Sequence, residues 1–264
     1  MRRLLLILIL CLGCGAAQAD ARLRGWTVQV CDDANEWPPY TFVERQDGRK
    51  TGRVMGYSVE LLERLLQPLG MKYRIELLPW ARCLQEVRRG QNYQLLLNAT
   101  RNPERERDFL ISAPIYSTRT YYFWSQRVHP QGLRVRSQED LKRYRLGGVH
   151  GYTYSQLDQI DMASLQRAPN YASLVAMLHL GRIDVIVVGE EVFHGLAGLP
   201  GYELAQDREL GRAPLAVQRP NAFHMMVSRQ HPLGPALHAA LQAELAKLER
   251  SGALQQLLAR HLQR

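Results

Sequence analysis

Most of the features that announce chemistry are missing from this sequence. Beyond residue 19 its cysteines, Cys31 and Cys83, lack zinc-ligand spacing. There is no Gly-x-Ser-x-Gly elbow, no His-Glu-x-x-His helix and no phosphate-cradling glycine loop ending in Lys-Ser/Thr. The glycine-rich GGVHG at 147–151 lacks the dinucleotide fingerprint, and the eight histidines are scattered, with His179 and His238 in helical patterns. No low-complexity tract or short repeat is present. After Leu12 no apolar run is long enough for a membrane-spanning helix, which wants about 20 residues. The excess of positive charge is spread along the chain, whereas a nucleic-acid partner needs a basic stripe.

What is present begins with MRRLLLILILCLGCGAAQAD. Two arginines, an apolar stretch from Leu4 to Leu12 and the small residues Ala17-Gln18-Ala19 form the three-part pattern of a secretory leader cut after Ala19. Its loss takes Lys+Arg from 34 to 32 against 25 Asp+Glu, a balance of +7 that serves solubility and weak attraction of anions. The cysteines left, Cys31 and Cys83, either join in an oxidising compartment or stay as two buried thiols.

The chain then alternates. WTVQV at 26–30 and KYRIELL, with Tyr73, Ile75 and Leu77 on one face, read as strands. Between them Ser58 is a candidate cap for a helix carrying Leu62, Leu65, Leu66 and Leu69 and stopped by Gly70. A helix from about Ala81 to Gly90 precedes the strand QLLL, which completes the pattern of a helix-covered parallel sheet. The pattern restarts at Tyr144 with YRLGGV, a helix capped by Asn170 and closed by Gly181, and the apolar run IDVIVV of a buried strand. TYYFW at 120–124 and a polar stretch lie between the halves. NAFHMMVS and one long amphipathic helix with Leu237, Leu241, Leu245 and Leu248 end the chain. These readings predict an α/β protein of two lobes: leader 1–19, first lobe 20–120, second lobe 121–218, and a return to the first lobe over 219–264. Ligands in such sheets bind beyond the carboxyl ends of the strands. That directs attention to the loops 32–40, 78–80, 98–105 and 147–154.

In order, WPPYTF, GYSVELLERL, LPWARCL, TRNPERERDFLISAPIY, DLKRYRLGGVHGYTY and GRIDVIVV resemble the periplasmic solute-binding proteins of polar amino-acid ABC importers. Thr100, then Arg105 five positions later, then Ser112-Ala113-Pro114-Ile115-Tyr116 is the most specific part. The resemblance implies the type II fold, two lobes closing on one small ligand. It implies that Arg105 grips a carboxylate, for which a planar, always charged fork is suited, with the Thr100 hydroxyl assisting. Arg101 and Arg107 have no such counterpart and read as surface residues paired with Glu104, Glu106 or Asp108. Trp80 and Trp37 fall at aromatic ligand-facing positions, the alternative being core anchors. His150, Gly151, Tyr152 and Thr153 correspond to the second-lobe loop that meets the carboxylate. At the end of IDVIVV the family's ammonium-binding Asp is replaced by Gly189. Either Glu190 substitutes for it, or the ligand is not an ordinary α-amino acid.

The expected function is therefore a periplasmic binding protein, a monomer without cofactor or metal, that hands a small carboxylate to a membrane permease. Two readings compete on the same scaffold. One is a dehydratase-like enzyme with Glu190, Glu191 or His150 as acid or base. The other is a soluble sensor subunit, since no membrane or kinase segment follows Arg264.

Overall fold

The computed structural model describes residues 22–197, 199, 206–216 and 220–263, so the leader expected over 1–19 and the boundary expected at 218 lie outside the described residues. The first group of elements is β1 (Thr27–Asp33), β2 (Phe42–Gln46), β3 (Arg49–Met55), α1 (Tyr57–Leu66), β4 (Lys72–Leu78), α2 (Trp80–Arg89), β5 (Leu95–Ala99), α3 (Pro103–Asp108), β6 (Phe109–Ile111) and β7 (Tyr116–Thr118). The second is β8 (Thr120–Ser125), α4 (Gln138–Leu141), β9 (Leu146–Val149), β10 (Gln166–Ala168), α5 (Tyr171–His179), β11 (Val185–Gly189), α6 (Glu190–Ala197) and β12 (Leu210–Pro214). The last is β13 (Asn221–Ser228), α7 (Gly234–Arg250) and α8 (Ala253–Leu262).

The strands form two sheets and a hairpin. One sheet runs β4-β1-β5-β13-β6, with β7 also on β13; the other runs β10-β9-β11-β8-β12; β2 and β3 pair alone. β1 lies parallel to both β4 and β5, and β9 parallel to both β10 and β11, while β13 and β8 run antiparallel to their neighbours. All five residues of β5 and all five of β11 are buried, as the apolar runs QLLL and IDVIVV require of strands covered on both faces. Leu61, Leu62, Leu65 and Leu66 of α1 pack into one core with Leu237, Leu241 and Leu245 of α7 and Leu254 and Leu257 of α8. That packing ties the last helices onto the first sheet.

Two local expectations change. The cap of α1 is Gly56 rather than Ser58: its φ of 122° suits only glycine, and a Cβ there would stand 2.3 Å from the Tyr40 carbonyl oxygen. Ser58 lies inside the helix and donates its hydroxyl to Asn98 Oδ1 at 2.6 Å. The long terminal helix is two helices, parted at Gly252, which takes φ 73°. TYYFW, placed between the halves by the sequence, is a strand of the second sheet, antiparallel to β11. The β2–β3 hairpin went unnoticed in the sequence because none of its residues is buried and its strands carry little alternation.

Cys31 and Cys83 are joined, and both are fully buried. The bridge spans 52 residues, worth about 4 kcal/mol in loop-closure entropy. It fastens the end of β1 to the first turn of α2.

Candidate ligand-binding site

The carboxyl ends of β1, β5, β9 and β11 converge on a cavity of about 550 Å³, its mouth included. β1 contributes Asp32 and Asp33; the turn after β5 contributes Asn98 and Thr100; the segment after β9 contributes Tyr152, Thr153, Tyr154 and Gln156; β11 contributes Val187, Val188 and Gly189. Trp37, Trp80, Tyr171 and Phe223 add aromatic walls, and Asn221 enters from the start of β13.

Arg105 is the only cation of this lining and is 5% exposed. Asn102 caps α3 by accepting the Arg105 backbone N–H at 2.7 Å, with Pro103 at the first helical position, so the helix start fixes the root of the side chain. The guanidinium then turns back. Nη1 donates to the Thr100 carbonyl at 2.8 Å and to Thr100 Oγ1 at 3.2 Å, Nη2 donates to the Gly151 carbonyl at 3.2 Å, and Cζ stands 5.5 Å from the Trp80 ring centroid. No carboxylate among the described residues lies within ion-pair distance of it. Burial pushes its pKa down to about 10, which leaves it charged at neutral pH.

Opposite in sign are two carboxyls, both nearly inaccessible. Burial raises Asp32 to about 7, against hydrogen bonds from Thr41, the Asp33 backbone and Asn98 that favour its ionised form. Asp33 is also raised by burial, and its Oδ2 accepts from the Tyr152 hydroxyl of the second lobe at 2.7 Å. Asn98, at φ 56°, is the hub below them: its Nδ2 donates to Asp32 Oδ2 and to Thr41 Oγ1, and its Oδ1 accepts from Ser58 and Tyr116. Tyr116 in turn accepts from Trp37 Nε1 at 3.0 Å.

Further contacts cross the cleft. Trp80 Nε1 donates to the Gly151 carbonyl at 3.1 Å, Thr100 Oγ1 meets Thr153 Oγ1, and Asn35 Nδ2 donates to the Pro169 carbonyl at 3.0 Å. The lobes thus meet around one acceptor, Gly151 O, shared by an arginine and a tryptophan.

A family profile described as bacterial extracellular solute-binding proteins, family 3, matches residues 28–264. The chain belongs to that family. No curated protein matches it. Among solved structures, this solute-binding protein is similar to an amino acid ABC transporter substrate-binding protein from Streptococcus pneumoniae bound to L-arginine, at 18% identity, covering 90% of this chain and 94% of that one, with TM-score 0.69. It is similar to an ancestral arginine-binding protein bound to arginine, at 16% identity, covering 90% and 99%, with TM-score 0.69. It is also similar to a histidine kinase sensor domain with similarity to periplasmic binding proteins, at 20% identity, covering 90% and 97%, with TM-score 0.70. At such identities the likeness is one of fold: the two-lobed type II architecture.

Of the residues singled out in the sequence, Trp37, Trp80, Thr100, Arg105, Tyr152 and Thr153 line the cavity together. Gly151 is outside the lining, but its carbonyl accepts from Arg105 and Trp80, which are part of it. His150 is exposed and outside the lining. Glu190 is outside it too: it opens α6, its Oε2 pairs with Arg119 at 2.7 Å, and Glu191 pairs with the same arginine at 3.0 Å. Arg101 is a surface residue paired with Glu106 at 3.0 Å. Gly189 does line the cavity, but a Cβ there would stand 2.9 Å from Thr118 Cβ, so the β-branched Thr118 side chain leaves no room for an aspartate. Asp32, Asp33, Asn98 and Asn221 were missed. For Asp32 and Asp33 a signal existed, two adjacent acids closing a strand.

Proposed function

We propose that this solute-binding protein captures a small carboxylate-bearing solute, an amino acid or a relative of one, and delivers it to a membrane ABC permease. It acts as a periplasmic monomer after removal of residues 1–19 as a leader, with lobes over 20–120 plus 219–264 and over 121–218 closing on one ligand. The observation that carries the reading is Arg105, a buried cation of the cavity lining with no carboxylate of the described residues within ion-pair distance. Burying a charge is expensive unless it is paired, and a solute carboxylate supplies the partner. Thr100 supports the fork, while Trp37 and Trp80 give apolar faces on which a ligand stem packs. With Glu190 held by Arg119, Asp33 and Asp32 are the acids placed to receive a cationic group, as an arginine-like or ammonium-bearing solute offers.

The likeness to a kinase sensor domain favours a second reading, in which the same capture reports to a signalling partner. The enzyme reading is weaker: Glu190 and Glu191 are held by Arg119, and neither they nor His150 reaches the cavity. A melting screen of the mature protein against amino acids, polyamines and small organic acids tests the proposal, because a tight ligand raises Tm by mass action. Stabilisation by at least one carboxylate is expected. If none stabilises, the assignment fails, and turnover of a stabilising compound would move it to an enzyme.

A further inference from the structure

Resting on the reading of the cleft as a carboxylate site, the geometry points to Asn221 as a residue that takes an N–H of the bound solute. It lies beside the place that the aspartate of the resemblance has vacated. Three observations converge there. Gly189 lines the cavity without a side chain, and the atoms that exclude one belong to Thr118. Thr118 is the register partner of Asn221 in the β7–β13 pair, so Asn221 stands across the strand from the residue that closes off position 189. Asn221 itself lines the cavity, is 8% exposed, and its Oδ1 is shut off from solvent with no hydrogen-bond partner among the described residues.

Buried amide oxygens almost always find a donor, and one left alone destabilises the fold. Among the described residues, Thr120, the register partner of Gly189, and Gln156 of the same lining also carry buried oxygens without a hydrogen-bond partner, but only Asn221 is the register partner of Thr118, which closes off position 189. The side-chain amide turns about its last bond and can present oxygen or nitrogen to the cavity. An N–H donor on a solute anchored by Arg105 would satisfy the oxygen. Because an amide is neutral, it favours a positively charged donor less than a carboxylate would, and it also accepts an uncharged N–H. The site at Asn221 is therefore matched to a solute whose nitrogen near the carboxylate need not be a full ammonium. Asp33 takes the charged group.

The test uses Asn221→Leu, close in shape and without an acceptor, and Asn221→Asp, with Arg105→Met as the reference for loss of the anchor. Melting temperature is measured without ligand, and Kd by calorimetry with L-arginine and L-glutamine. Asn221→Leu should melt a few degrees higher, since an orphaned oxygen is removed. It should also bind at least tenfold more weakly. Asn221→Asp should tighten binding of both α-ammonium probes several-fold. A lower Tm in Asn221→Leu, or a Kd within twofold of the parent, overturns the proposal. If the parent binds neither probe, the amino-acid reading falls, and the sign of the Tm change in Asn221→Leu still decides whether Asn221 is held for a ligand or for the fold.

Discussion

Replacing Arg105 by methionine separates binding from folding. The substitution keeps an unbranched stem against Trp80 and removes the fork that donates to Thr100 O, Thr100 Oγ1 and Gly151 O. On the ligand side, truncating one partner of a buried, hydrogen-bonded charge pair costs about 2–5 kcal/mol. At about 1.4 kcal/mol per decade, Kd should rise roughly 30- to 3,000-fold. On the folding side the terms oppose. Removing a 5% exposed cation that has no carboxylate partner relieves a desolvation penalty of several kcal/mol. Two carbonyls lose a donor, at about 1–3 kcal/mol each where water cannot replace it. The balance is within about 2 kcal/mol of zero, and at roughly 2–4 °C per kcal/mol the ligand-free variant should melt within several degrees of the parent. Titration calorimetry with the solute that most stabilises the parent gives the first quantity, and scanning calorimetry the second. A variant that melts far lower but binds within threefold of the parent would show that Arg105 is a structural cation, and the carboxylate assignment would be refuted.

Glu190→Gln should leave affinity within twofold and stability within about 1 kcal/mol, because its partner Arg119 has a 71% exposed side chain and such pairs contribute little; a tenfold loss of affinity would put Glu190 in the site. Asp32→Asn should flatten the pH dependence of stability. The folded carboxyl, raised by burial to about 7, keeps a proton that the unfolded chain releases near its ordinary 3.8. Stability therefore falls as pH rises through that window, by at most about 1.4 kcal/mol per unit. The variant should match the parent at pH 4 and exceed it at pH 7.5 in urea melts, and parallel curves would contradict the burial argument. Gly151→Ala puts a Cβ 3.0 Å from Trp80 Cδ1 at φ 77°. That left-handed strain of about 1–2 kcal/mol should weaken binding about 5- to 30-fold by opposing closure, whereas equal affinity would mean the loop binds without approaching Trp80.

The cavity lining was legible where it comes from a short stretch of chain. Thr100 and Arg105 lie five residues apart on one turn and one capped helix, so local sequence fixes their mutual geometry before any tertiary contact forms. The two lobes were legible for a similar reason: buried parallel strands write continuous apolar runs such as LLLNA and VIVVG. Asp33 carried only the signal of two adjacent acids closing a strand, and Asn221 carried none. Whether a strand-end side chain turns into a cavity depends on register with distant partners, Leu78 for Asp33 and Thr118 for Asn221. Glu190 was misjudged by the same geometry, because it follows Gly189 at a strand end but begins a helix that carries it to Arg119. Ser58 belonged to the Asn98 network rather than to a helix cap, and no local propensity distinguishes those two uses of a serine.

The cavity's charges limit what can close it. Arg105 is positively charged at neutral pH, while burial raises both Asp32, to about 7, and Asp33, so the negative charge facing it grows as pH rises. A solute carboxylate supplies a partner for Arg105, and a cationic group on the same solute gains from Asp32 as that carboxyl loses its proton. Among the described residues, the charged groups that line the cleft are buried and none is joined to its opposite by an ion pair. Closure on a solute that supplies the missing partners recovers the penalty of that arrangement, which is how differential contact in the closed state shifts an open-closed equilibrium. A solute lacking either the carboxylate or the cationic group leaves part of the penalty in place and should close the lobes only weakly.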